Sequence, residues 1–296
     1  MKKYLALDLG GTFLKAAIID EDVNILYKWK VESNVDNVDD LLAVFDKAII
    51  GHTNGVEAIA MSLPGRMNIK EGIMETAGSF DKFMRGAHIV EMFEERYHLP
   101  VGIDNDAKCA TNAEIWKGAL KDCENGVVYV IGTGIGGGIE INHKVYRGSH
   151  FASGELSAIF NNCELGTYEP NTMSNIIATP ALLRNYKNDA NILDDINGED
   201  FFEKVNSGDE IALKTLKHFC FLTAMYFYNI QVCLDVDKIA IGGGISAQPI
   251  LIEMINKELD EIYKYQGPSV RPEIVRCKYG NDANLIGAVK SYIDFH

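Results

Sequence analysis

The residues of this chain that could do chemistry lie in short motifs rich in glycine and acid. Asp8-Leu9-Gly10-Gly11-Thr12 closes an apolar run that begins at Tyr4. Two glycines let a backbone turn and approach a ligand closely, and the N–H groups of such a turn suit phosphate oxygens. Asp8 could hold Mg2+ through water, and Thr12 could donate its hydroxyl. The same residues also describe a plain hairpin with an acid at its edge. A second turn, Gly132-Thr133-Gly134-Ile135-Gly136-Gly137-Gly138, follows the apolar run 127–131. It lacks the lysine of a P-loop. A GxGxxG register runs from Gly132 to Gly137, but Gly138-Ile139-Glu140-Ile141-Asn142 continues as a strand, where a dinucleotide fingerprint would open a helix. Alone this segment is equally a tight β-turn. Beside the first motif it reads as a second phosphate clamp. Gly242-Gly243-Gly244, between a strand and a helix, would let a flat ring or phosphates lie against backbone.

The acids are more selective. In Asp104-Asn105-Asp106-Ala107, Asp106 falls where a helical pattern begins. A carboxylate there either caps the helix and complements its dipole or acts as a general base toward a substrate hydroxyl. Asn105 could hydrogen-bond a neighbouring hydroxyl. Gly154-Glu155 offers another carboxylate, to a sugar hydroxyl, and alone means little. The seven histidines are scattered, with no HExxH. The six cysteines form no CxxC pair, which argues against a zinc ribbon or a thioredoxin-like motif.

These motifs need elements to hold them. Short β-rich runs ended by glycines read as buried strands, and each of the first two glycine turns is followed by more strand, at 14–19 and 138–142, which suggests hairpins. Further strands are expected at 24–31, 56–62, 101–103, 238–241 and 273–277. Helical patterns cover 38–50, 87–97, 106–117, 173–186, 209–234, 247–265 and 282–293. Strands alternating with helices indicate α/β layers with a largely parallel sheet. The two similar halves suggest two such domains with a cleft between them. The expected boundaries are 1–118, with the C-terminal helix 282–296 packing back on it, and 119–281.

The length of 296 residues allows one large domain or two modest ones, with 47% apolar and 24% charged residues. Lys and Arg total 28 against 42 Asp and Glu, a net charge of −14. Such a surface repels phosphate backbones and anionic bilayers, so neither nucleic acid nor a membrane is an expected partner. The longest apolar stretch, 219–228, is too short and too polar in its setting to span a bilayer. Without a secretory leader or a disulfide framework, the reading is a reduced, cytoplasmic protein.

Seven segments in order, Asp8 to Thr12, Pro64-Gly65, Asp104 to Ala107, Gly132 to Gly137, Gly154-Glu155, Gly242 to Gly244 and Asn281-Asp282-Ala283-Asn284-Leu285-Ile286-Gly287-Ala288, resemble the ROK family of sugar kinases and repressors. The resemblance covers nearly the whole chain and implies the two-domain, actin-like ATPase (ribonuclease H-like) fold with an interdomain cleft. It implies ATP and Mg2+ as cofactors, a small-molecule sugar as substrate, and Asp106 as catalytic base. It places Gly65, Asn105 and Glu155 at sugar-contact positions, with Gly78-Ser79 at a further one. Gly10, Gly11, Thr12, Thr133, Gly134 and Gly243 fall on nucleotide-binding positions, with Asp8 at the Mg2+. The repressors carry an N-terminal helix-turn-helix, whereas this sequence starts three residues before its first expected strand, so the kinase branch is the expectation. A homodimer is compatible with this reading.

Two departures stand out. Family members usually carry His three residues after the glutamate, where this chain has Ala158, and many carry a CxCGxxGCxE zinc loop, where residues 160–175 hold one cysteine, Cys163. No structural zinc is therefore expected. The bacterial β-glucoside kinase branch resembles this chain in both respects, which implies transfer to the 6-hydroxyl of a glucose unit in a β-glucoside such as cellobiose. Glucose or N-acetylmannosamine remains the alternative substrate if Phe160 or Tyr168 refills the space beside Ala158. A non-catalytic sugar sensor is the rival reading, and the retained Asp8, Thr12 and Asp106 weigh against it.

Overall fold

Both glycine motifs sit at the turns of β-hairpins in a computed structural model that describes residues 1–162, 171–266 and 270–296. Cys163 and Tyr168 lie outside the described residues. The chain divides into two compact units.

The first unit comprises Met1–Lys121, Lys144–Ser153 and Asn281–His296. Its strands are β1 (Lys3–Leu9), β2 (Phe13–Asp20), β3 (Ile25–Glu32), β4 (Ala58–Leu63), the short pair β5 (Met67–Asn68) and β6 (Ile73–Met74), and β7 (Val101–Asn105). The main sheet has the order β3-β2-β1-β4-β7. It is mixed rather than largely parallel: β1, β2 and β3 pair antiparallel as a meander, while β4 and β7 join in parallel. Helices α1 (Val38–Ile49), α2 (Asp81–Met84), α3 (Ile89–Tyr97) and α4 (Asp106–Lys117) follow the strands. Asn37 caps α1 by accepting from the Asp40 N–H. The core gathers Leu5, Leu7, Phe45, Ile59, Met61 and Phe93.

The second unit comprises Asp122–His143 and Gly154–Gly280. Strands β8 (Asn125–Ile131) and β9 (Ile135–Ile141) form its hairpin. The next strand, β10 (Lys144–Tyr146), belongs to the first unit. Then come β11 (Phe160–Asn162), β12 (Asn171–Thr172), α5 (Met173–Ile177), α6 (Thr179–Ala190), α7 (Gly198–Asn206), α8 (Glu210–Leu234), β13 (Lys238–Gly242), α9 (Pro249–Gln266), β14 (Glu273–Arg276) and finally, in the first unit, α10 (Ala283–Phe295). Within the second unit β8, β13 and β14 run parallel, beside the antiparallel β9. Its core centres on Tyr129, Phe201, Phe227, Ile239 and Leu251.

Further expectations change. The helix expected at 173–186 is two helices, because Ala178 is extended, with ψ 162°, and Pro180 opens the second. Helix α7 was not expected; Asn197 and Asp200 start it as a capping box. The segment Lys144–Ser153 groups with the first unit, where Arg147 forms an ion pair with Asp104 at 2.6 Å.

One buried acid has no counterpart in the sequence reading. Glu140 on β9 is fully buried, and neither carboxylate oxygen has a hydrogen-bond partner among the described residues. Burial, helped by the Asp237 charge, raises its pKa from the usual 4.5 to about 8. A carboxyl whose folded value is raised binds more protons in the folded state, so stability falls as pH climbs from about 4.5 to about 8. Glu140→Gln should remove that slope, so that its melting temperature gains on the parent's by more at pH 8 than at pH 5. Parallel melting curves for the two proteins across that range would contradict this.

Candidate active site

Asp8, the penultimate residue of β1, lies just before the first glycine turn and is 4% exposed. Its Oδ1 accepts from Ser62 Oγ and Asn284 Nδ2, each at 3.0 Å. Its Oδ2 accepts from Lys15 Nζ at 3.0 Å. The turn closes through the Gly10 N–H donating to the Phe13 carbonyl at 3.0 Å. Ser33 Oγ donates to the Gly10 carbonyl at 2.7 Å, and the Ser33 N–H donates to the Thr12 carbonyl at 3.0 Å. Gly11 and Thr12 are exposed at its tip. A carboxylate oxygen accepts two bonds, so Oδ2 keeps one lone pair. That donor set fits a magnesium held through water, since Mg2+ retains most of its waters and takes few protein ligands. Among the described residues no group of three or more His, Cys, Asp and Glu side chains could hold a metal ion.

The acid pair at the end of β7 is built more tightly. Asn105 is the N-cap of α4: its Oδ1 accepts from the Ala107 and Lys108 N–H groups at 3.0 and 3.2 Å. Asp106 is therefore the first helical residue and not the cap. Asn105 Nδ2 donates to the Gly65 carbonyl and to Asp106 Oδ1, both at 2.9 Å. The same Oδ1 accepts from the Ala107 N–H at 2.7 Å. The amide thus ties Gly65 and Asp106 together, and the Asp106 carboxylate sits half-buried at a helix N-terminus, where negative charge is favoured. Gly65, at φ +93°, could not carry a side chain, because a Cβ would lie 2.3 Å from the Thr76 carbonyl oxygen. That close passage sets Gly65 against the segment leading to Gly78 and Ser79. Ser79 lines a pocket of about 280 Å3 with Gly11, Ser33, Asp36 and Phe80. Beneath, Cys109 is fully buried, and burial reinforced by the Asp104 and Asp8 charges pushes its thiol well up, so it is no nucleophile.

In the second unit the other motifs also converge. The Gly132 N–H donates to the Gly134 carbonyl at 2.9 Å, which leaves Thr133 exposed at the tip. Gly243, at φ +89°, lies where a Cβ would meet the Ile131 carbonyl oxygen at 2.0 Å, so the third glycine motif passes directly over the start of the second. Gly154 and Leu156 pack against Gly137, which holds the exposed Glu155 beside β9. Ala158 and Phe160 are both exposed, Phe160 at 59%.

Sequence reading missed Lys15, Ser62, Arg147 and Ser291, and left Asn284 without a role. The strand pairing could have found Lys15, which lies opposite Asp8 across the β1–β2 ladder. The others touch the site from distant segments.

A family model described as "ROK family" matches residues 4–294. A beta-glucoside kinase of Listeria monocytogenes serovar 1/2a is 30% identical over 295 residues, covering 98% of this chain and 97% of that protein. Among solved structures, a ROK family protein from Streptococcus pneumoniae TIGR4 in complex with sucrose is 29% identical with a TM-score of 0.89, covering 99% of this chain and 98% of that one. A ROK family glucokinase from Streptomyces griseus in complex with glucose and AMPPNP shares the fold at TM-score 0.81 and 24% identity, covering 97% of each chain. Two α/β units with matching glycine-turned hairpins, together with the family match, define a two-domain, actin-like carbohydrate kinase. The chain belongs to the ROK family. Among the described residues no helix is long and apolar enough to cross a membrane.

Proposed function

We propose that this kinase transfers the γ-phosphoryl group of ATP to the 6-hydroxyl of a glucose unit, with a β-glucoside such as cellobiose as the preferred acceptor. The observation that carries the reaction is the Asn105 amide bridging Gly65 and Asp106, which presents one carboxylate oxygen in a fixed direction at the start of α4. Asp106 accepts the proton of the 6-hydroxyl as the hydroxyl oxygen bonds to the γ-phosphorus and the bond to ADP breaks. Gly65, Gly78, Asn105 and Glu155 serve the sugar, while Gly10, Gly11, Thr12, Thr133, Gly134 and Gly243 serve the nucleotide. Asp8 would hold Mg2+ through water, and that ion would neutralise charge on the phosphoryl oxygens. With Asn105's two N–H donors already engaged, its part is to hold Gly65 and Asp106, and a sugar hydroxyl would have to displace one of those bonds.

The β-glucoside preference rests on Ala158. A methyl group there offers no hydrogen bond to a free 1-hydroxyl and leaves room for a linked ring. The likeness at 30% identity to a protein named a beta-glucoside kinase points the same way. One missing hydrogen bond and a few buried carbons are worth ~1–3 kcal/mol each, which gives a preference of roughly 10- to 200-fold. Turnover of cellobiose, glucose and N-acetylmannosamine tests this, with the product phosphate located by NMR. Higher kcat/KM for cellobiose is expected, with phosphate on the non-reducing unit. Glucose or N-acetylmannosamine ahead by tenfold would leave only the sugar-kinase assignment.

A further inference from the structure

Two residues before the proposed base, Asp104 is 1% exposed and lies at the centre of a polar node drawn from four segments of the first unit. Its two oxygens receive the Arg147 guanidinium as a fork, at 2.6 Å to Oδ1 and 2.7 Å to Oδ2. Ser291 Oγ of α10 donates to Oδ2 at 2.7 Å, and Asn112 Nδ2 of α4 approaches the same oxygen at 3.3 Å. Arg147 also reaches Ser291 Oγ at 3.4 Å, and its guanidinium lies over the Phe295 ring, 5.1 Å from the centroid. The node has one further bond: Asp104 Oδ1 accepts the backbone N–H of Asn105 at 2.8 Å. From there the chain of contacts is continuous, since the Asn105 side chain donates to Asp106 Oδ1 at 2.9 Å.

We infer that Arg147 is a positioning residue for phosphoryl transfer, acting through Asp104 and Asn105 to hold the Asp106 carboxylate in its reactive direction. This rests on the reading of Asp106 as the base. The fork fixes the plane of the Asp104 carboxylate, because both oxygens must meet both guanidinium nitrogens at once. That plane aims Oδ1 at the Asn105 N–H, and so sets the backbone turn at which Asn105 leaves β7 and caps α4. A tilt there moves the side-chain amide and the carboxylate it holds. Lysine in place of Arg147 would keep the charge while losing the fork. A misplacement of about 1 Å at a reacting group can cost ~100-fold in rate. Arg147 lies 41 positions beyond Asp106 in the sequence, and among the described residues its guanidinium meets Asp104, Ser291 and Phe295, none of them assigned to the nucleotide, so its effect should fall on turnover and not on ATP affinity.

The test uses Arg147→Lys and the double variant Asp104→Asn/Arg147→Met, which leaves no charge unpaired. Both are assayed with glucose and with cellobiose, per molecule of folded protein, beside Asp106→Asn. The expected result is a fall in kcat of about 10- to 100-fold, with KM for ATP within about twofold of the parent. Melting curves show the folded fraction, and a merely structural role would lower the melting temperature while leaving kcat per folded molecule unchanged. That outcome, in both variants, overturns the inference. If Asp106→Asn is inactive while the Arg147 variants keep the parent kcat, the positioning role alone falls. If Asp106→Asn keeps its rate, the base assignment falls and the positioning role falls with it.

Discussion

Asp106→Asn should lower kcat by ~10²–10⁴-fold at saturating sugar and ATP, the range a positioned general base supplies. The fold should survive, because the substituted amide keeps an oxygen that can accept from the Ala107 N–H and from Asn105 Nδ2, as Oδ1 does now. Only the group able to take a proton is lost. Melting temperature and far-UV circular dichroism should match the parent, and KM for ATP should change little. A variant that keeps more than about a hundredth of the rate would show that the proton leaves by another route.

Gly243→Ala should be the most damaging single methyl group in the second unit. The residue sits at φ +89° and ψ 169°, a region that essentially only glycine enters, where an L side chain costs ~1–3 kcal/mol. The new Cβ would also lie 2.0 Å from the Ile131 carbonyl oxygen and 2.6 Å from its carbon. Those are backbone atoms of β8, and overpacking adds ~1–3 kcal/mol. A total of about 3 kcal/mol lowers the melting temperature by ~6–12 °C at ~2–4 °C per kcal/mol. Gly244→Ala is the matched control: nothing lies within 4 Å of its Cβ position. Equal melting of the two variants would show that the close passage over Ile131 does not constrain the turn.

The parts of the site that were legible in the sequence are local. The two hairpins, the glycine turns and the start of α4 at Asp106 all follow from periodicity and turn chemistry within a dozen residues. The capping residue was misplaced by one, since Asn105 and Asp106 are both good caps and only the hydrogen bonds distinguish them. Illegible were the partners that arrive from afar. Arg147 and Ser291 reach Asp104 across 43 and 187 positions, and Asn284 reaches Asp8 across 276. No periodicity encodes such a pairing; it exists only once α10 and the 144–153 segment have docked. Helix α7 was readable after all, through the capping spacing of Asn197 and Asp200, and Pro180 marked the break between α5 and α6.

The placement of α10 also orders the birth of the protein. Gly287 lets this helix press onto α4 so closely that a Cβ would stand 1.6 Å from the Cys109 carbonyl oxygen. Yet the segment Asn281–His296 is translated after the whole of the second unit, about 160 positions behind Lys121. At ~5–20 residues per second, the ribosome needs roughly 10–30 s to supply it. Throughout that interval the buried side of α4, with Cys109, Ala110 and Ala113, waits without its partner. The unit made first is thus finished last.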